Sequence, residues 1–179
     1  MRISLQAEVR PAEVDETPRP GETPSACVLR LAEVKARAAA RPGELVLAAD
    51  TTVAIDGELL GKPGSDEEAS AMLRRLSGRE HLVATGLALL RTDEERLASA
   101  VRETKVRMRP LEEAWIAWYV ASGEPRDKAG AYAIQGLGSL LVASIDGDYE
   151  TVVGLPLVLL PDLFEALGLD LLARLSGRP

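Results

Sequence analysis

The spacing of apolar and polar positions changes period several times along the chain. Ile3 to Val9 alternates, which predicts a strand with one buried face. Thr23-Pro24 then opens a helix, with Thr as N-cap and Pro at the first helical position. Val28, Leu31, Ala32 and Lys35 recur on that helix at spacings of three and four. Lys35 thus extends the apolar stripe, from which it either snorkels to water or reaches an anion in a pocket. Leu45-Val-Leu-Ala-Ala is apolar at every position and ends in Asp50, Thr51, Thr52 and Val53. This reads as a strand buried on both faces, because the β-branched residues argue against a helix and Asp56-Gly57 follows as a hairpin turn. Asp50 then falls at or near the carboxyl end of a central strand, where α/β sheets commonly hold ligands. A carboxylate that caps a turn is the competing role.

Ser65 with Glu68 forms a capping box, and the helix behind it runs through Met72 and Leu76 to a stop at Gly78. His81–Leu90 and Leu97–Met108, joined by a turn at Thr92–Glu95, read as an antiparallel pair with one wet face. Leu111–Ser122 reads as a helix whose Trp115 and Trp118 serve the core or a subunit contact. Leu140–Ile145 is a further strand, followed by an Asp146-Gly147 turn. A closing helix starts at Val152 and carries Leu159, Leu160, Leu163 and Leu167. With no repeat, low-complexity tract or linker, residues 1–179 are expected to form a single domain of α/β (mixed α+β) class.

Composition narrows the function. The net charge of −7 argues against a general nucleic-acid binder, which needs a basic face. A small anionic ligand stays compatible with it, given a few local cations. Aromatic residues make up only 3% of the chain, so Leu, Val and Ala must build the core. The one cysteine, Cys27, is expected in that core. The one histidine, His81, excludes a multi-histidine metal site and is expected to be structural. No apolar run is long enough to span a membrane, and the first residues lack a signal-peptide pattern; a cytoplasmic protein is the expectation.

The remaining polar residues suggest chemistry. Glu16, in the acidic loop Glu13–Pro18, and Asp50 offer oxygen ligands for Mg²⁺ or Mn²⁺. Lys35, Lys62 (held between Gly61 and Pro63) and Lys128 could neutralise phosphate oxygens. The segment Glu124–Gly138, rich in glycine and charged at its start, carries one amide, Gln135, able to read a base edge. Together these are the parts for work on a nucleotide polyphosphate, yet neither a Walker A sequence nor Gly-x-Gly-x-x-Gly occurs.

Nine strings, in order, are similar to those of the Maf family of nucleotide pyrophosphatases: Val14-Asp-Glu-Thr17, Leu31-Ala-Glu-Val-Lys-Ala36, Ala49-Asp-Thr51, Leu60-Gly-Lys-Pro63, Leu76-Ser-Gly78 with His81, Thr85-Gly86, Asp127–Gly136, Gly147-Asp-Tyr149 and Val153-Gly-Leu-Pro-Leu157. The resemblance implies a long mixed central sheet flanked by helices, two lobes around a cleft, and a homodimer. It implies hydrolysis of a nucleoside triphosphate to monophosphate and pyrophosphate with a divalent metal. Asp50 matches the residue assigned there as proton acceptor; a role as metal ligand is the alternative. Thr51 and Gln135 match the branch that prefers dTTP and UTP, as opposed to the sister branch that prefers 7-methyl-GTP and has Gln after the aspartate. The rival implication is a non-catalytic nucleotide-binding regulator of septum formation or cell division.

One departure stands out. The family's opening strand and its Ser-x-Ser-Pro-Arg-Arg loop have no counterpart, and Met1-Arg-Ile-Ser-Leu corresponds to the strand that follows them. The expectation is a longer native protein or a truncated form, with a weaker grip on phosphate and an exposed sheet edge.

Overall fold

The computed structural model describes residues 7–176. Among them, five strands form one sheet, flanked by six helices: α1 (Pro24–Ala39), β1 (Leu45–Ile55), β2 (Glu58–Leu60), α2 (Asp66–Leu76), β3 (Glu80–Arg91), β4 (Arg96–Met108), α3 (Glu113–Ala121), β5 (Val142–Asp146), α4 (Tyr149–Val153), α5 (Leu160–Ala166) and α6 (Leu171–Leu175). The sheet order is β2-β1-β3-β4-β5, and every described pairing is antiparallel. The mixed sheet that the family pattern implies is thus represented here by antiparallel neighbours alone. Residues 3–6 of the strand expected over Ile3–Val9 lie outside the described residues, and residues 7–9 are irregular.

The predicted start signals act as expected. Thr23 Oγ1 accepts from Ala26 N and Ser65 Oγ from Glu68 N, so each satisfies an amide that its helix leaves free. Glu68 completes its side of the cap one residue early, accepting from Gly64 N at 2.7 Å. The Asp56-Gly57 turn has φ of 55° and 79°, the two left-handed residues of a type I′ hairpin.

Side chains alternate across a strand, and this divides the core. Even positions of β1 and β3 meet α1, where Ala32 and Ala36 pack on Ala48, Ala88 and Leu90. Odd positions meet the other helices: Val53 and Val83 join α2 and α3, while Leu87 and Leu89 join α5. Gly86 sets how closely α1 lies on the sheet. A Cβ there would stand 2.5 Å from Val28 O, so only glycine admits the helix backbone at this depth. Gly86 is the cross-strand partner of Asp50, and α1 therefore crosses directly over that carboxylate.

Several expectations are corrected. Asp50 lies at mid-strand, not at the carboxyl end, because Thr51 to Ile55 continue β1 up to the turn. The first half of β1 is not buried on both faces, and Leu47 is 37% exposed. The reason is an open edge: β2 pairs only with Val53–Ile55, so among the described residues Leu45–Thr52 has a neighbour on one side only. The closing helix is broken into α4, α5 and α6. Gly154, with φ of 109°, ends α4; Pro161 starts α5; and Asp170 caps α6 by accepting from Ala173 N. Trp115 and Trp118 are not core residues; Ile116, Tyr119 and Val120 form the buried side of α3. None of the described helices is long and apolar enough to cross a membrane.

Candidate functional site

The open edge of β1 is the floor of a cleft of about 670 Å³, within the usual size range for small-ligand sites. It wraps around the edge, so residues from both faces of the strand border it. On the α1 side stand Glu16, Lys35 and Asp50; on the α4 side stand Thr51, Val153 and Gly154. The outer wall is built by the loop after β2, with Lys62, and by the segment from Asp127 to Gln135. All seven residues singled out in the sequence, Glu16, Lys35, Asp50, Thr51, Lys62, Lys128 and Gln135, border this one cleft.

At its centre Lys35 Nζ lies 2.6 Å from Asp50 Oδ1 and 2.6 Å from Glu16 Oε1. The two carboxylates differ in setting. The Asp50 side chain is 9% exposed and that of Glu16 is 44%. Burial pushes the Asp50 carboxyl above the ordinary aspartate value, although Lys35 pulls the other way. Glu16 is held below the usual glutamate value, chiefly by its hydrogen bond from Lys35. Burial also works against the Lys35 ammonium, but the hydrogen bonds to Asp50 and Glu16 outweigh it and hold its pKa above normal. The stretch that delivers Glu16 is pinned on either side. Arg10 pairs with Glu44 at 3.0 Å; Arg30 pairs with Glu22 at 2.7 Å and donates to Thr17 O.

Thr51 departs from the simplest expectation. Being next to Asp50 on a strand, it points to the opposite face. Its Oγ1 lies 2.8 Å from Thr85 Oγ1, which in turn donates to Thr151 O of α4 at 2.7 Å. On the outer wall Lys62 is exposed, and Lys128 pairs with Asp127 at 2.7 Å. Gly130 N donates to Gly61 O at 3.0 Å and so stitches the two lysine-bearing loops together. Gln135 is exposed where it borders the cleft.

Two features escaped the sequence reading. Tyr132 borders the cleft, and its hydroxyl is 2.7 Å from His81 Nε2 in the core. His81 is buried, as a structural residue should be, and its pKa is lowered to about 4 by that burial. Glu124 receives hydrogen bonds from the loop that carries Gln135. No local pattern announces either contact, because both partners come from distant parts of the chain. Cys27 is buried, as expected, but also borders the cleft. Among the described residues, no group of three or more His, Cys, Asp or Glu side chains forms a metal cage.

A buried carboxylate under an ammonium, two further lysines and an exposed amide on one cleft define a class: a site suited to a small polyanion that carries a hydrogen-bonding head. The comparisons agree with that class. The family model described as Maf-like protein matches residues 1–167, and the chain belongs to the Maf family. It is 52% identical, over 98% of its length and 89% of the relative's, to a dTTP/UTP pyrophosphatase of Myxococcus xanthus. A protein of the same name from Symbiobacterium thermophilum is 53% identical, over 87% of this chain and 80% of its own. One from Anaeromyxobacter sp. is 49% identical, over 99% and 87% respectively.

Proposed function

We propose that this chain is a nucleoside triphosphate pyrophosphatase that converts dTTP and UTP to the monophosphate and pyrophosphate. The observation that carries the reading is that Asp50 and Gln135 border one cleft, which three lysines also line. The relatives named dTTP/UTP pyrophosphatases, about half identical to this chain, support it. Asp50 is the proton acceptor: its carboxyl, made more basic by burial, orients a water and takes its proton as the water attacks the α-phosphorus. The bond from that phosphorus to the bridging oxygen breaks, and pyrophosphate leaves. Lys35, Lys62 and Lys128 neutralise the charge that develops on the phosphates. Gln135, which both donates and accepts, pairs with the edge of uracil or thymine. Thr51, tied to Thr85, lines the substrate side of the floor.

The donor set fits a divalent cation. Glu16 and Asp50 already meet one positive atom, Lys35 Nζ, so both reach a single small cation. Two carboxylates completed by substrate phosphates and water are a common way to hold Mg²⁺, which does not need a protein-only cage. When bound, Mg²⁺ or Mn²⁺ supplies charge neutralisation at the phosphates. We take residues 1–179 as one domain that works in the cytoplasm as a homodimer. The exposed Trp115 and Trp118, which are perpendicular to one another with Arg109 over the Trp115 ring, support a subunit contact there.

The test is product identity. Wild-type protein with UTP and Mg²⁺ is expected to yield UMP and pyrophosphate, and Asp50→Asn to lose about 10²-fold or more of the rate. UDP and phosphate as products would refute the reaction. If UTP raises the melting temperature of both proteins while neither releases product, the chain is a nucleotide-binding regulator instead.

A further inference from the structure

The loop that presents Gln135 is held from behind by a network of four hydrogen bonds. Glu124 Oε2 accepts from Leu137 N at 3.0 Å, and Glu124 Oε1 accepts from Gly138 N at 2.9 Å. The Tyr119 hydroxyl donates to Glu124 Oε1 at 3.0 Å and accepts from Ala133 N, also at 3.0 Å. The bonded amides therefore lie two residues before Gln135 and two and three residues after it. Tyr119 is fully buried on α3 and leaves its oxygen little freedom. The loop is also packed tightly on the pair. A Cβ at Gly138 would stand 2.2 Å from Ala133 O and 2.6 Å from the Tyr119 oxygen, and one at Gly136 would stand 2.7 Å from Glu124 Oε2. Burial would raise the Glu124 carboxyl, but the amides of Gly138 and Leu137 outweigh it and keep the group charged. A carboxylate is the fitting acceptor, because three donors converge on it and charged acceptors bind donors most strongly.

We propose that Glu124, together with the Tyr119 hydroxyl, is a positioning residue for base recognition: it fixes the turn that aims the Gln135 amide into the cleft, and so sets preference among nucleobases without touching the substrate. The proposal rests on the reading of Gln135 as the base-contacting group. Its physical basis is that a recognition amide gives selectivity only when its own position is already fixed. A purely structural Glu124 would instead change stability and leave the choice of base alone.

The experiment is a double-mutant cycle in the full-length protein with UTP, CTP and GTP as substrates. Glu124→Gln keeps the size of the side chain but turns one acceptor into a donor against Leu137 N. It is expected to raise KM for UTP by about tenfold, the effect of one misplaced hydrogen bond, and to narrow the UTP preference over CTP and GTP by a similar factor, with kcat for UTP little changed. Tyr119→Phe, which fills the same volume, is expected to repeat that pattern. Gln135→Ala is expected to lose the preference outright, and adding Glu124→Gln to it is expected to change the preference no further, since the two act as one unit. If Gln135→Ala alters the base preference while Glu124→Gln and Tyr119→Phe keep the wild-type value, the positioning role is refuted and the reading of Gln135 survives. If Gln135→Ala also keeps the wild-type preference, the base-contact reading fails and takes the proposal with it. A fall in melting temperature of the Glu124→Gln protein with unchanged base preference counts as the first of these refutations.

Discussion

At the scale of single residues, the site depends on Asp50 being hard to ionise and yet available. Its side chain is nearly buried, and that burial raises its pKa against the pull of Lys35. In the metal-free protein the Asp50 carboxyl is therefore expected to titrate above the ordinary aspartate range. NMR titration of that side chain checks this; a value at or below that of a free aspartate would contradict it. His81 makes an independent prediction for stability. Its folded pKa is lowered to about 4 by burial, below the ordinary 6.5. The unfolded chain therefore binds a proton first as pH falls, so His81 favours folding fully above about pH 6.5, and that contribution is lost between there and about pH 4. At about 1.4 kcal/mol per tenfold change in proton affinity, the full loss is about 3 kcal/mol. Thermal melts across this window are expected to show a slope that flattens in His81→Phe. The residues around Asp50 were largely readable from the chain, because a carboxylate ending an apolar run and a lysine continuing an apolar stripe are local anomalies. Glu124 was not, because its partners are amides thirteen and fourteen residues away, and backbone N–H groups leave no mark in a sequence.

At the scale of elements, the decisive contact is α1 on the sheet. Gly86 opposite Asp50 lets the helix come close enough for Lys35 to cover that carboxylate. Gly86→Ala is expected to cost about 1–3 kcal/mol by overpacking, because the obstructing atoms are backbone and cannot swing aside. It is also expected to lower activity by lifting Lys35 from its place. Chemical denaturation and UTP turnover of this variant read both effects; unchanged stability would contradict the packing argument. Helix starts and the β1–β2 hairpin were legible because caps and type I′ turns are written in adjacent residues. The C-terminal leucines misled: they recur as one helix would have them, but Gly154 and Pro161 interrupt the backbone, and short helices still bury Leu160, Leu163 and Leu167. Similarly, the apolar run of β1 implied a strand covered on both sides, whereas among the described residues its first half is paired on one side only. Apolar character reports what a residue tolerates, not which neighbour the topology gives it.

At the scale of the whole molecule, the cleft lies along the stretch of β1 that has a paired strand on one side only among the described residues. There β2 covers only the end of β1, and the middle of the strand is bordered by groups from both sheet faces and from two distant loops. Trp115 and Trp118 are both exposed on α3, and Arg109 lies over the Trp115 ring while it donates to Leu140 O. If that surface joins two copies, sedimentation is expected to give a dimer that Trp115→Glu with Trp118→Glu converts to monomer; a wild-type monomer would dismiss it. In the cleft itself, we propose, water held by Asp50 attacks the α-phosphorus. Hydrolysis of UTP in ¹⁸O-labelled water, followed by mass spectrometry of both products, tests it most directly. Attack at the α-phosphorus puts one labelled oxygen in UMP and none in pyrophosphate, whereas label in pyrophosphate with unlabelled UMP would contradict it.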